Sequence, residues 1–298
     1  MADETRPSVP SDTTMGDLSR RDFVTLGVAA GLAAATSGAP SAQAAVTESA
    51  VSITTPDGTC DAAFIHPASG AHPAVIIWPD AFGLRPAMRD MGKRLAADGY
   101  TVLVPNPYYR VSKAPGIAME GFSFQNKEDM TKLQGLMAGV NAPGATDRDA
   151  RAFIAFLDAQ RQVNAAKKIG TQGYCMGGAL VFKTAAAMPE RVGAGASFHG
   201  GGLVTDRPDS PHTLVPKMKA HLYVAIASND DARQPAAKDT LRQALAAAKV
   251  PGEVEVYKGL HGWCVPDMPA EAGKPIYDKA DAERAWAKLL ALYKTALA

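Results

Sequence analysis

Apolar residues along this chain come in two alternating kinds of stretch: short unbroken runs, and longer ones in which they recur every three or four positions. Residues 73–78 (Pro-Ala-Val-Ile-Ile-Trp) and 100–105 are of the first kind, which predicts central strands covered on both faces. Stretches 168–174, 194–198, 221–227 and 253–257 read the same way. Between them lie helical patterns at 88–97, 150–163, 179–187, 236–248 and 277–296. The first stops at Asp98-Gly99, where glycine can take the left-handed cap, and Thr146-x-x-Asp149 ahead of the second has the form of a capping box. At the front, 51–55 and 60–65 flank Pro56-Asp57-Gly58 and predict an antiparallel edge hairpin. Strands alternating with helices imply an α/β fold, a mainly parallel sheet with helices on both faces. From 106 to about 144 the pattern weakens around a helix near 128–137; long connections of this kind serve as lids or binding surfaces.

The first 44 residues fall outside this scheme. Ser19-Arg20-Arg21-Asp22-Phe23-Val24 precedes a weakly apolar, alanine-rich run and the small residues Ala42 and Ala44, a pattern resembling a twin-arginine export signal cleaved after Ala44. The run is too short for a spanning helix of about 20 apolar residues, so no lasting membrane anchor is expected. The expectation is passage through the twin-arginine machinery to the periplasm or beyond, with one domain over 45–298. The net charge of +1, with acids and bases interspersed, gives no footprint for nucleic acid or a membrane surface and points to a small-molecule ligand. Three cysteines, Cys60, Cys175 and Cys264, are too few for a disulfide framework or a zinc site, though a Cys60–Cys264 bridge is conceivable in an oxidising compartment.

One of those cysteines organises the rest. Gly173-Tyr174-Cys175-Met176-Gly177-Gly178 runs from a strand into a helix, the G-x-C-x-G form of a nucleophile elbow. Its glycines allow strand and helix to approach around a strained residue. A helix starting just after Cys175 turns free N–H groups towards the sulfur, which favours thiolate and oxyanion alike. In an α/β-hydrolase the acid and the histidine follow the nucleophile, each at the carboxyl end of a strand. Here 221–227 runs out into Ser228-Asn229-Asp230-Asp231, and 253–257 into Lys258-Gly259-Leu260-His261. His261 is therefore the expected base and Asp231 the favoured acid, ahead of Asp230; His199 precedes the acid in the chain and is read as structural. Met176 and Ala81 are the expected oxyanion-hole donors, one just after the nucleophile and one in the turn after 74–78. No metal or organic cofactor is needed.

Pro79-Asp80-Ala81-Phe82-Gly83-Leu84, the cysteine elbow, the Asp231-to-Pro235 spacing and Leu260-His261-Gly262-Trp263 together resemble the dienelactone hydrolase (carboxymethylenebutenolidase) family over about 51–298. The resemblance implies an α/β-hydrolase fold and hydrolysis of an enol-lactone or related ester through a thioester on Cys175. It implies that Asp80, where well-known members carry glutamate, contacts the resting cysteine. It also implies that Arg110 binds a substrate carboxylate, with Tyr109 and Trp263 as further substrate contacts. A second arginine expected soon after His261 is missing from the stretch through Asp267, a departure that weakens the case for dienelactone itself. The alternatives to an ester or lactone hydrolase are a non-catalytic binding protein on the same scaffold and, last, a redox role for Cys175.

Overall fold

Strand β1 (Val46–Thr55) turns through Asp57 into β2 (Gly58–Pro67), and Gly58 takes φ 133°, a conformation that favours glycine. The computed structural model describes residues 45–270 and 273–298, so the expected export leader lies outside the described residues. After the hairpin the chain alternates: β3 (Ala74–Trp78), α1 (Pro86–Ala97), β4 (Thr101–Pro105), α2 (Lys127–Asn141), α3 (Ala145–Asp158), β5 (Ile169–Tyr174), α4 (Met176–Ala187) and β6 (Val192–Phe198). There follow a short helix α5 (Pro211–Leu214), β7 (His221–Ile226), another short helix α6 (Ser228–Arg233), α7 (Ala237–Ala247), β8 (Gly252–Val256) and α8 (Lys279–Ala296).

The described strands form one sheet in the order β1-β2-β4-β3-β5-β6-β7-β8. Pairing is antiparallel from β1 to β4 and parallel from there on, as the hairpin and the alternating pattern predict. Every residue of β3, β4, β5 and β6 is buried, which is why these strands read as runs and not as alternations. The pleat divides them between two cores. Ala74, Ile76 and Trp78 pack with Phe153 of α3 and Leu180 of α4, while Val75 and Ile77 pack with Leu95 of α1 and Leu289 of α8. Cys60 belongs to the first core and Cys264 to the second, across the sheet from one another, and all three cysteines are free.

The expected capping box is not formed. Helix α3 starts at Ala145 behind Gly144 in a left-handed conformation (φ 68°), so Thr146 lies inside the first turn. Helix α2 buries Leu133, Leu136 and Val140 against the first core and thereby becomes one wall of the region beyond the sheet's carboxyl edge.

Candidate active site

Cys175 alone makes the turn from β5 to α4, with φ 52° and ψ −115°. A non-glycine residue in this region costs about 1–3 kcal/mol and persists only where its surroundings over-determine it. Here they do. The Cys175 N–H donates to the Phe198 carbonyl at 3.1 Å and to His199 Nδ1 at 3.2 Å, and its carbonyl accepts from Gly178 and Gly201 at 3.0 and 3.1 Å. A Cβ on Gly173 would lie 2.1 Å from the Gly177 carbonyl oxygen, and one on Gly177 would lie 2.3 Å from that of Trp78, so both glycines of the elbow are fixed by backbone contact. The second contact also brings the start of α4 against the end of β3. Ala81 and Met176 consequently line one cavity with Cys175. Tyr108 ties them together, donating from its hydroxyl to the Ala81 carbonyl at 2.7 Å and approaching the Met176 sulfur at 3.8 Å. As the first residue of α4, Met176 has an N–H without an intrahelical acceptor.

His261 is positioned from the end of β7. Its backbone N–H donates to Asn229 Oδ1 at 2.9 Å, and its Nδ1 sits 2.7 Å from Asp230 Oδ2. With Nδ1 taken up by Asp230, the ring borders the same open space as the Cys175 side chain. Burial opposes a charge on this imidazole, but the Asp230 carboxylate and the Cys175 sulfur outweigh it and raise the pKa to about 10. His199 behaves oppositely: burial first, and then the nearby His261, hold it well below the ordinary imidazole value. Neutral and accepting at Nδ1, it carries its hydrogen on Nε2, which is buried and finds no partner among the described residues. Its ring meets that of His261 edge to face with centroids 4.7 Å apart.

Two lobes of open space meet at the sulfur. One, of about 640 Å³, is lined by His261, Arg233 and the aromatic cluster of Phe82, Phe122 and Phe124. The other, of about 370 Å³, runs between α4 and α2 past Met176, Leu180, Leu133 and Met137 to Lys183. Cys175, Ala81 and Phe124 border both, and the Phe124 side chain is exposed between them.

The model of the dienelactone hydrolase family matches residues 60–297. The chain belongs to this family. A putative carboxymethylenebutenolidase from Synechocystis is 30% identical over 234 residues, covering 77% of this chain and 89% of that protein. The carboxymethylenebutenolidase of Pseudomonas putida is 30% identical over 172 residues, covering 56% and 67%. In fold, a putative dienelactone hydrolase from Klebsiella pneumoniae superposes with a TM-score of 0.71 at 21% identity over 84% of this chain and 99% of its own. The architecture is thus the α/β-hydrolase fold, and membership of the dienelactone hydrolase family makes the chain a hydrolase of the ester or lactone type.

Several of the expected site residues stand elsewhere. The partner of His261 is Asp230, not Asp231: β7 is followed at once by helix α6, in which successive side chains diverge by about 100°. Asp231 is turned to Lys238, 2.7 Å away. Asp80 does not bond Cys175; both its oxygens are taken by Arg85, at 2.7 and 2.9 Å, and one also by the Phe82 N–H. Arg85 continues to Asp267 with two bonds of 2.8 Å, so a buried arginine absent from the sequence reading joins the loop after β3 to the loop after His261. Arg110 is not at either lobe. It binds Asp57 of the β1–β2 turn and Asp149 of α3, with closest approaches of 2.7 Å to each, and stacks on Tyr109, whose hydroxyl donates to Asp149. Trp263 is fully buried against Tyr257, centroids 4.3 Å apart, and faces no substrate space. Tyr109, Arg110 and Trp263 thus make contacts within the fold and border neither lobe. His199, read as structural, accepts the backbone N–H of Cys175 at 3.2 Å.

Proposed function

We propose that the protein hydrolyses small esters or lactones with Cys175 as nucleophile, His261 as acid and base, and Asp230 as the carboxylate that orients the imidazole. The observation that carries this reading is that His261, bonded through Nδ1 to the Asp230 carboxylate, borders the same open space as the strained elbow cysteine, Cys175. An imidazolium beside a thiol is the arrangement in which a thiolate nucleophile forms.

The sulfur attacks the carbonyl carbon and the developing oxyanion is met by the N–H groups of Met176 and Ala81, whose loops Tyr108 braces. As the tetrahedral adduct collapses, the carbon–oxygen bond breaks and His261 gives its proton to the leaving oxygen. Water, deprotonated by the same imidazole, then attacks the thioester and releases the acid and the sulfur. For a lactone the leaving oxygen stays tethered and the product is a hydroxy acid. His199 touches no reacting atom; as a neutral acceptor for the Cys175 N–H it is a positioning residue. The test is hydrolysis of p-nitrophenyl acetate with and without Cys175→Ala, together with mass spectrometry of an acyl adduct on residue 175. Undiminished turnover by Cys175→Ala removes the thiol from the reaction.

We also infer that the protein acts outside the cytoplasmic membrane, exported as a folded enzyme. Supporting this are Arg20-Arg21 and the small residues through Ala44. Export of Arg20→Lys/Arg21→Lys at the wild-type level would contradict it.

A further inference from the structure

The two lobes at Cys175 are not equivalent, because His261 borders only one of them. The leaving oxygen must take its proton from that imidazole, so the alcohol portion of the substrate occupies the His261 lobe and the acyl portion the lobe along α4. Met176, Ala179, Leu180 and Lys183 of α4 recur at the spacing of one helix face and line this acyl lobe from the sulfur outwards. Lys183 is the sole charged residue in α4, among neighbours that are otherwise apolar, small or hydroxylic, and it lies eight residues beyond the nucleophile, about 12 Å along the helix axis. Its side chain is only 21% exposed.

The charge at that far end is unbalanced. Lys183 and Arg207 share a single carboxylate, Asp209, at 3.5 and 2.9 Å. Beyond Lys183 and Asp209 the space continues into a polar hollow bordered by Arg151 and Lys217, with Asp147 the other acid. Four cations thus border this end of the space against two carboxylates, while Leu133, Met137, Met176 and Leu180 give it an apolar wall on the way from the sulfur.

We propose that the acyl group is an open chain of several carbons ending in an anion, which Lys183 reads at the far end of the lobe. This rests on the hydrolase reading above and adds the substrate class to it. The chemistry is that of a half-ester of a linear dicarboxylic acid: the methylene chain lies against Leu133, Met137 and Leu180, and the free carboxylate meets the Lys183 ammonium, whose present partner Asp209 is 3.5 Å away and shared with Arg207. Cleavage of the ester bond by water gives the diacid and the alcohol, with no other reactant.

The experiment compares kcat/KM for the mono-p-nitrophenyl ester of suberic acid with that for p-nitrophenyl octanoate, which has the same chain length and no terminal charge. The wild type is expected to favour the half-ester at least tenfold at low salt, with most of the preference lost in Lys183→Met and largely kept in Lys183→Arg, through KM and not kcat. Added salt should narrow the gap as it screens the charge. A wild-type ratio near one, or a ratio unchanged in Lys183→Met, overturns the proposal while Cys175-dependent cleavage of octanoate leaves the hydrolase reading standing. Absence of cleavage of both esters removes that reading and this one with it.

Discussion

Two adjacent aspartates in one short helix offer the sharpest test of the site. Asp230 holds His261 Nδ1 at 2.7 Å with a side chain only 15% exposed, whereas Asp231 makes a partly solvated pair with Lys238. Replacing Asp230 by asparagine keeps the shape but removes the charge and leaves an amide that can donate to Nδ1, favouring the wrong tautomer. Triads that lose their carboxylate in this way slow on the order of 10⁴-fold, about 5 kcal/mol of transition-state stabilisation. Asp231→Asn forfeits one partly exposed ion pair worth about 1 kcal/mol or less of folding stability, with kcat within about twofold. The assay is steady-state hydrolysis of p-nitrophenyl acetate by both variants, with urea unfolding to confirm that each is folded. A pH profile gives a second readout. In the proposed mechanism the basic limb follows the His261 proton, held up to about pH 10 in the wild type, and should move down towards the ordinary imidazole value of 6.5 in Asp230→Asn. Full activity in Asp230→Asn together with loss in Asp231→Asn would refute the assignment.

Four further outcomes follow from the same contacts. Arg85→Met strands Asp80, 1% exposed, without its counter-ion and should cost about 3–5 kcal/mol in urea unfolding, while Asp267→Asn, at a carboxylate 37% exposed, should cost about 1 kcal/mol. Arg110→Met should lower unfolding stability by about 3 kcal/mol by stranding Asp149, and leave the KM for charged and neutral esters unchanged, since the guanidinium touches neither lobe. Gly173→Ala sets a Cβ 2.1 Å from backbone that cannot yield, and should destabilise by about 3 kcal/mol or more in the same assay. His261 keeps its proton to about pH 10 when folded and to about 6.5 when unfolded, so its contribution to stability is complete below 6.5 and fades as pH rises through 10; the melting temperatures of wild type and His261→Gln should converge over that window.

The fold and the strained elbow at Cys175 are legible in the sequence because each leaves a local signal. Strands buried on both faces must be continuous apolar runs, and an elbow whose neighbours meet at backbone distance must have glycine at 173 and 177. The placement of a cysteine, an aspartate and a histidine after β5, β7 and β8 is legible for the same reason. The choice between Asp230 and Asp231 is not: α6 has six residues, too few for a period to show, and the side chain that meets His261 depends on where its first turn begins. Only the family resemblance marks Tyr109, Arg110 and Trp263, and nothing near them in the sequence marks Asp57 and Asp149, or the face of Tyr257, as their partners. Arg85 ahead of a proline-started helix has the look of a solvated cation, and only the folded chain sets Asp80 and Asp267 on either side of it.

The distribution of backbone strain adds a reason to place the chemistry here. Among the described residues three other than glycine have positive φ: Cys175 at 52°, His199 at 38° and Lys249 at 55°. Lys249 lies in the turn from α7 to β8, away from the others. Cys175 and His199 follow directly on the neighbouring strands β5 and β6, and the N–H of one bonds the ring of the other. Each such residue costs about 1–3 kcal/mol, and two joined by one hydrogen bond hold one another in place only if the surrounding backbone cannot relax. The rigidity comes from the glycine contacts: with Gly178 and Gly200 packed so that a Cβ on the first would lie 2.6 Å from the Cα of the second, the two turns behave as one piece. In the proposed mechanism a sulfur fixed this way need not move to meet the carbonyl, and the cost of holding it there is met in folding and not at each turnover.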